Sequence, residues 1–459
     1  MRQKMAIITS YSGEDNYGLL GPQLAATVIE DNAPFECIVV RVSREEEKET
    51  IKKALGVYFG AQRPIVGFST LCGREDLFEL AKELKEEGAL TILGGPQAGV
   101  DFSGEAGKEK GEHRFQGFHS HFSLAVHGPA EQVLPVLADP ESCLVDPPPG
   151  VLVKGEGGAV VRRVSQEWNP AFFYRVRWDN LYRVEGGDLK PVRVEAAQVL
   201  QQIGCPYALT AREISVDYPY YLNSGRSLPI TSRGCSFCDV ATDKGYYGAL
   251  PMETVLAQIE SLPEVEGVKI PFELINENPL PGLPRLLEEV RRRGLRLSRV
   301  DLVLRADWLC QHATKAREAV GLAREMGTVI RVSSVGFEAF DDRILRNLNK
   351  GTRVKDNLDA VKLLREIKMD FPENWAYASY EGSVHGFIHP TPWDTEDSMA
   401  GMEWIFAVYG LADDILPEHS LPLIIHHGCP LGEWARRLEE TEGVKLPRVG
   451  TIIAWWETL

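Results

Sequence analysis

The feature that most constrains this chain is a repeated alternation of two hydrophobic periods. Short continuous apolar runs at Met5–Thr9, Phe35–Val42, Pro64–Phe68, Thr91–Leu93 and Leu124–Val126 are separated by helical patterns. Leu77, Leu80, Ala81 and Leu84 recur at three- and four-residue spacing, and Gly88 follows as a stop. A strand that is apolar throughout is buried on both faces, so the pattern predicts a parallel sheet covered by helices on each side. The alternation resumes from Leu228. Strands are expected at Leu228–Thr231, Val268–Phe272, Val300–Leu304 and Val329–Val335, with helical faces at Met252–Ile259, Leu283–Arg292 and Val354–Leu364. Strand-plus-helix units of this length, all running one way, predict a full or partial (β/α) barrel.

The expected fold class is therefore α/β, a doubly wound parallel-sheet domain followed by a full or partial TIM-like barrel. The expected boundaries are 1–140 for the first domain, 141–225 for a connector, 226–430 for the barrel and 431–459 for a C-terminal tail. Pro147–Pro149 break the chain inside the connector, and Val151–Val164 reads as a hairpin around Gly155–Gly158.

The formal net charge of −16 argues against a nucleic-acid partner, which needs a basic stripe to neutralise phosphates. Arg291, Arg292 and Arg293 form the one tight basic run, where cations favour a helix terminus. No apolar run approaches the roughly 20 residues of a membrane span, and Met1–Ser10 lacks a signal-peptide core, so a cytoplasmic protein with no membrane partner is expected.

Of eight cysteines, Cys235 and Cys238 are the only close pair. Two thiolates separated by two residues in a turn can both reach one metal centre. The pair follows an expected strand, which places it at the C-terminal mouth of a barrel, where such folds keep their active sites. An iron–sulfur centre, a zinc site and a dithiol redox pair all fit a single Cys-x-x-Cys. His385, His389, His426 and His427 add histidines but no carboxylates at ligand spacing.

The stretch Ile230–Val240 resembles the cluster loop of radical S-adenosylmethionine (SAM) enzymes, above all the subgroup with a cobalamin-binding domain in front. Later segments agree in order. Leu304-Arg305-Ala306-Asp307, Val335-Gly336-Phe337-Glu338, Leu348-Asn349-Lys350-Gly351-Thr352, Gly386–Pro390 and Gly428-Cys429-Pro430-Leu431 resemble successive motifs of that subgroup over some 200 residues. In the first domain, Pro64–Ser69, Ile92–Pro96 and Val126–Glu131 resemble its cobalamin module. The Asp-x-His-x-x-Gly motif that supplies a histidine to cobalt elsewhere is absent from the sequence.

The resemblance implies three cofactors: a 4Fe–4S cluster, SAM and cobalamin. It implies that Cys235 and Cys238 bind the cluster, that Ser69, Thr70, Gly94, Gly95, Pro96, Gly128 and Glu131 face the corrin, and that Arg305 and Glu338 face SAM or substrate. The sequence departs from the family at one point: Thr231 stands where the family has its first cysteine. Cys205, in Gly204-Cys205-Pro206-Tyr207, is the first candidate for a third thiolate, followed by Cys310 and Cys429. The implied chemistry is reductive cleavage of SAM to a 5′-deoxyadenosyl radical, with an electron donor such as flavodoxin or ferredoxin. The expected reaction is methyl transfer to a carbon of a small molecule or peptide. A radical ring contraction, cyclisation or rearrangement is the alternative within the family, and a corrinoid carrier or sensor with a degenerate cluster site the alternative outside catalysis.

Overall fold

A computed structural model describes residues 2–10, 16–70, 73–95, 98–105, 113–155, 160–162, 168–222, 225–239, 246–415 and 420–458. The chain divides into two compact units. The first comprises Met1–Ala197, Ser261–Pro263 and Arg448–Ile452; the second comprises Gln198–Glu260, Glu264–Pro447 and Ile453–Leu459.

The first unit is a nine-stranded sheet. Its strands are β1 (Gln3–Ser10), β2 (Phe35–Val42), β3 (Ile65–Ser69), β4 (Leu90–Leu93), β5 (Leu124–Val126), β6 (Val151–Lys154), β7 (Val160–Arg162), β8 (Leu181–Glu185) and β9 (Asp188–Pro191), in the order β7-β6-β5-β4-β3-β1-β2-β8-β9. The central strands β5 to β2 and β8 are parallel; β6, β7 and β9 run antiparallel at the edges. Helices α1 (Leu20–Asn32), α2 (Lys48–Phe59), α3 (Glu75–Glu86) and α4 (Ala98–Ser103) join the parallel strands. Ile8, Val40, Val66 and Phe68 of the sheet share one core with Leu55, Leu77, Leu80 and Phe102 of the helices. Residues expected to form a connector thus supply both edges of this sheet, including the hairpin anticipated after Val151. Antiparallel hairpins can be added to an edge without a crossover helix, which is why the strand–helix rhythm stops where they begin.

In the second unit, β10 (Ala197–Leu200) borders β17 (Phe272–Ile275), β18 (Arg299–Arg305), β19 (Val329–Gly336) and β20 (Trp375–Ala376). The last four are parallel, and isolated parallel bridges at Glu338–Phe387 and Ile388–Leu421 carry the pairing onward. The barrel is a partial one. The helix Leu283–Arg292 packs against the helix Ala313–Met326, and the buried Leu286, Leu287, Val290, Ala316 and Val320 lie on these two helices. Three small antiparallel pairs also belong to the unit: β11 (Gln202–Gly204) with β14 (Tyr246–Ala249), β12 (Ala211–Asp217) with β13 (Ser227–Arg233), and β15 (Glu264–Val265) with β16 (Val268–Lys269).

The strand in front of the cysteine pair differs from expectation. Leu228–Thr231 lies in β13, which pairs with β12 in a hairpin of its own and is no member of the parallel sheet. Its residues alternate between exposed and buried along the whole strand. That is the pattern of a sheet with one wet face, not of a barrel stave covered on both sides. A short strand, Ile452–Ile453, lies in the C-terminal tail, and Trp455 follows it in a 3₁₀ turn, buried, with its indole N–H donating to the Leu423 carbonyl at 2.8 Å. No helix among the described residues is long and apolar enough to cross a membrane.

Candidate functional site

In the second unit the cysteine loop is built by hydrogen bonds to a distant segment. After β13 the chain turns at Gly234, whose φ of +70° lies in the region that favours glycine. Ser232 Oγ and Asn349 Nδ2 both donate to the Gly234 carbonyl, at 3.0 and 2.6 Å. Ser236, fully buried, donates from its backbone to Leu348 O and from its hydroxyl to Asn347 O, each at 2.9 Å. The Leu431 N–H donates to Ser236 O at 2.9 Å, and the Cys238 N–H closes the turn on Cys235 O at 3.2 Å. Residues 347–349 thus act as a fixed template for the loop.

Arg305, the last residue of β18, reaches the loop from the C-terminal edge of the parallel sheet. Its Nη1 lies 3.5 Å from Cys235 Sγ, and its Nη2 donates to the Lys350 carbonyl at 2.5 Å. Asp307 takes two further hydrogen bonds from the same guanidinium, and the cation stacks on Tyr207 at 4.3 Å and Trp308 at 4.9 Å. A planar guanidinium can make such in-plane and face contacts together; an ammonium cannot. Lys350, buried, donates to Glu338 Oε1 at 2.7 Å.

Glu338 has φ +60°, uncommon for a residue with a side chain. The turn is braced by Asn357 Nδ2, fully buried, which donates to Phe337 O and Ala339 O at 3.0 and 2.9 Å. Backbone strain of this kind persists only where the surroundings overdetermine it. Gly336 lies against the same pair: a Cβ there would lie 2.6 Å from Lys350 Nζ and 2.8 Å from Glu338 Oε1, so both side-chain ends would have to move.

Burial pushes the Cys235 thiol above its ordinary range, while Lys350 and Arg305 pull it down. Cys205 is pushed up to about 11, first by burial, then by Glu277, with Cys235 also contributing. Cys429, buried, is raised by burial and then by Asp239. Among the described residues no three Cys, His, Asp or Glu side chains are arranged to hold a single metal ion. A cubane cluster makes a different demand, since each thiolate takes its own iron.

The sheet face below this edge carries charges the sequence analysis did not single out. Register aligns Glu273 with Asp301 and Asp301 with Arg331 across three adjacent strands. Asp301, fully buried, receives two hydrogen bonds from Arg331, at 2.9 and 2.7 Å, and two from Arg299, at 2.7 and 3.2 Å. The signal was present as polar residues every second position inside apolar strands, in Arg299-Val300-Asp301-Leu302 and Ile330-Arg331-Val332.

The first unit offers a separate crevice. The parallel order β2-β1-β3-β4-β5 reverses direction between β1 and β3, and in open α/β sheets ligands bind outside the strand carboxyl ends at such a point. Ser69 ends β3, Thr70 follows it, Gly94–Gly95 follow β4, and Gly128 lies two residues beyond β5. Gly95 has φ +92°, and a Cβ on it would lie 2.9 Å from Ser69 Oγ. Thr70 Oγ1 is buried without a partner, and burial raises the Glu131 carboxyl above its usual range against the pull of the Glu131 and Asn169 backbone N–H groups. Pro96 lies outside the described residues.

Comparison with known proteins bears on part of the second unit. Residues 228–373 match the radical SAM superfamily. They form a radical SAM domain. No curated protein matches the chain in sequence. Among solved structures, the whole chain is similar to the cobalamin-dependent S-adenosylmethionine radical enzyme OxsB with aqua-cobalamin and S-adenosylmethionine bound. The TM-score is 0.61 at 13% identity, covering 98% of this chain and 64% of that one. The apo, selenomethionine-labelled form of OxsB gives 0.56 at 14% identity, covering 97% and 62%. The chain therefore spans less than two thirds of the length of the structures it matches, and at this identity the likeness establishes the fold. The radical SAM match covers Cys235, Cys238, Arg305, Glu338 and Lys350; Cys205 and Tyr207 precede it.

Proposed function

We propose that the chain is a cobalamin-dependent radical SAM enzyme that transfers a methyl group to a carbon of a small molecule or peptide. The observation that carries the reading is the cysteine turn of the radical SAM domain, pinned by residues 347–349 and contacted at Cys235 Sγ by Arg305. The donor set fits an iron–sulfur group: thiols in a turn, cations beside them to offset thiolate charge, and a pocket edge with buried polar groups. When bound, a cluster supplies the electron that cleaves SAM, and a corrinoid supplies a methyl carrier.

The chain's own residues position and exclude. Cys235 and Cys238 hold the cluster, and Arg305 keeps Cys235 oriented and partly neutralised. Glu338, aimed by its strained turn and held by Lys350, offers a carboxylate to a cationic group of SAM or substrate. Ser69, Thr70, Gly94, Gly95, Gly128 and Glu131 would form the corrin cradle. The unpartnered Thr70 hydroxyl is a polar atom that a ligand at those strand ends would satisfy.

Product analysis tests the reaction. Anaerobic turnover of a candidate carbon acceptor with SAM, a strong reductant and methylcobalamin should give methylated acceptor, S-adenosylhomocysteine and 5′-deoxyadenosine together. 5′-Deoxyadenosine alone would instead favour a radical ring contraction, cyclisation or rearrangement. The cradle has its own test. Gly95→Ala places a Cβ at φ +92°, at a cost of roughly 1–2 kcal/mol, and against Ser69 Oγ. Affinity for hydroxocobalamin, followed by its visible spectrum, should fall by about tenfold. Unchanged affinity would place the corrin elsewhere.

A further inference from the structure

We infer that Cys205 supplies the third thiolate of the cluster, brought to the cysteine turn by a Tyr207–Arg305 clamp; the inference rests on the radical SAM reading of that turn.

The first ground is the position the family motif leaves vacant. Thr231 lies in β13, in register with Glu213 of β12, and its side chain is exposed along with those of Ser227, Pro229 and Arg233 on the same strand. The buried face of that strand carries Leu228, Ile230 and Ser232 instead. The strand pairing fixes this alternation, so a side chain at 231 points to solvent; a one-residue slip that turned it inward would also turn Leu228 and Ile230 out of the core. The threonine is not a cysteine that drifted while keeping its place at a cluster. Its position faces the wrong way.

The second ground is what stands on the other side of Cys235. The chain leaves β11 at Gly204, φ +78°, and Cys205 opens a short 3₁₀ turn, Pro206–Ala208. The Tyr207 ring lies 4.3 Å from the Arg305 guanidinium, which in turn is 3.5 Å from Cys235 Sγ. Tyr207 is held on its far side too. A Cβ at Gly351, which has φ +76°, would lie 2.5 Å from its hydroxyl, so the phenol is packed onto the backbone directly after Lys350. The loop bearing Cys205 is therefore clamped between β18 and the segment that templates the cysteine turn.

Of the other candidates, Cys310 is directed to another segment, and Cys429, two residues before the Leu431 that bonds the turn, is closed off by the core. Cys310 sits on the helix Ala306–Gln311, with its thiol directed to the Asp356 carbonyl at 4.0 Å. Cys429 is fully enclosed in the core cluster with Trp393, Trp434 and Trp455. Three thiolates from Cys205, Cys235 and Cys238 would each take one iron and leave a fourth for an exchangeable ligand.

Anaerobic reconstitution with ferrous iron and sulfide tests this, read by iron and sulfide counts and by the EPR spectrum of the reduced protein. The wild type should hold about four irons per chain. Cys205→Ser should lose at least half of that iron and the cubane signal, while Cys310→Ser keeps both. Thr231→Cys placed on Cys205→Ser should not restore them. Far-UV circular dichroism and hydroxocobalamin binding report whether Cys205→Ser remains folded. A folded Cys205→Ser with a full complement of iron, or rescue by Thr231→Cys, overturns the assignment while leaving the radical SAM reading intact. An iron-free wild type overturns the reading itself.

Discussion

Cys235→Ser should abolish iron incorporation and reductive SAM cleavage, with the loss of 5′-deoxyadenosine formation exceeding 100-fold, while the fold survives. The reasoning starts from the side chain's surroundings. Cys235 is approached by the Arg305 guanidinium at 3.5 Å, and Lys350 also lowers its pKa against the push of burial. Those cations offset the charge of a thiolate; a serine hydroxyl stays neutral and is a poor ligand for iron. The backbone contacts that shape the loop come from Ser232, Ser236, Asn349 and Leu431, and none uses the Cys235 sulfur. The turn should persist after substitution. The measurement pairs an iron count with anaerobic product analysis, and circular dichroism reports the fold. Wild-type iron content in the serine variant would remove Cys235 from the site.

Asp301→Ala should destabilise the second unit by about 3 kcal/mol, which corresponds to a fall of roughly 6–12 °C in its thermal midpoint. Asp301 is 1% exposed at its side chain and pairs with both Arg299 and Arg331, the latter through two hydrogen bonds from the adjacent strand. Removing the carboxylate leaves two guanidinium groups facing each other on a partly buried sheet face. An uncompensated buried charge costs more than the intact pair contributes. Asp301→Asn keeps the volume and one acceptor, and should lose less. Glu273, which aligns with Asp301 and is itself raised by burial, then by Asp301, should move toward the ordinary carboxylate range in Asp301→Ala. A scan in which Asp301→Ala and wild type melt together would show that the charge row contributes nothing to this unit.

The two halves of the fold were legible to different depths. The parallel strands β1 to β5 of the first unit are largely apolar runs, glycine follows β4 and β5, and all five fall where the runs predict them. Their edges were harder to read. Strands β6 to β9 are short and joined by hairpins, so neither run length nor helical spacing marks them as members of the same sheet. The cysteine pair was visible from spacing alone, but its setting was not. Whether Leu228–Thr231 joins the parallel sheet or a separate hairpin depends on pairing with β12, a long-range choice that the local pattern does not encode. The same holds for Arg305. Its contact with Cys235 spans 70 positions, and only the template at 347–350 brings the two together. Tyr207 stood beside Cys205 in the sequence, yet its role as a stacking surface depends on where β18 ends.

The central claim is that the turn of Cys235 and Cys238 carries a SAM-binding cluster. Mössbauer spectroscopy of the chain reconstituted anaerobically with isotopically enriched iron, recorded with and without SAM, tests it most directly. The account predicts a cubane spectrum in which one iron site shifts on addition of SAM and the others do not. A protein that takes up no iron, or a cluster whose spectrum is the same with and without SAM, would contradict it.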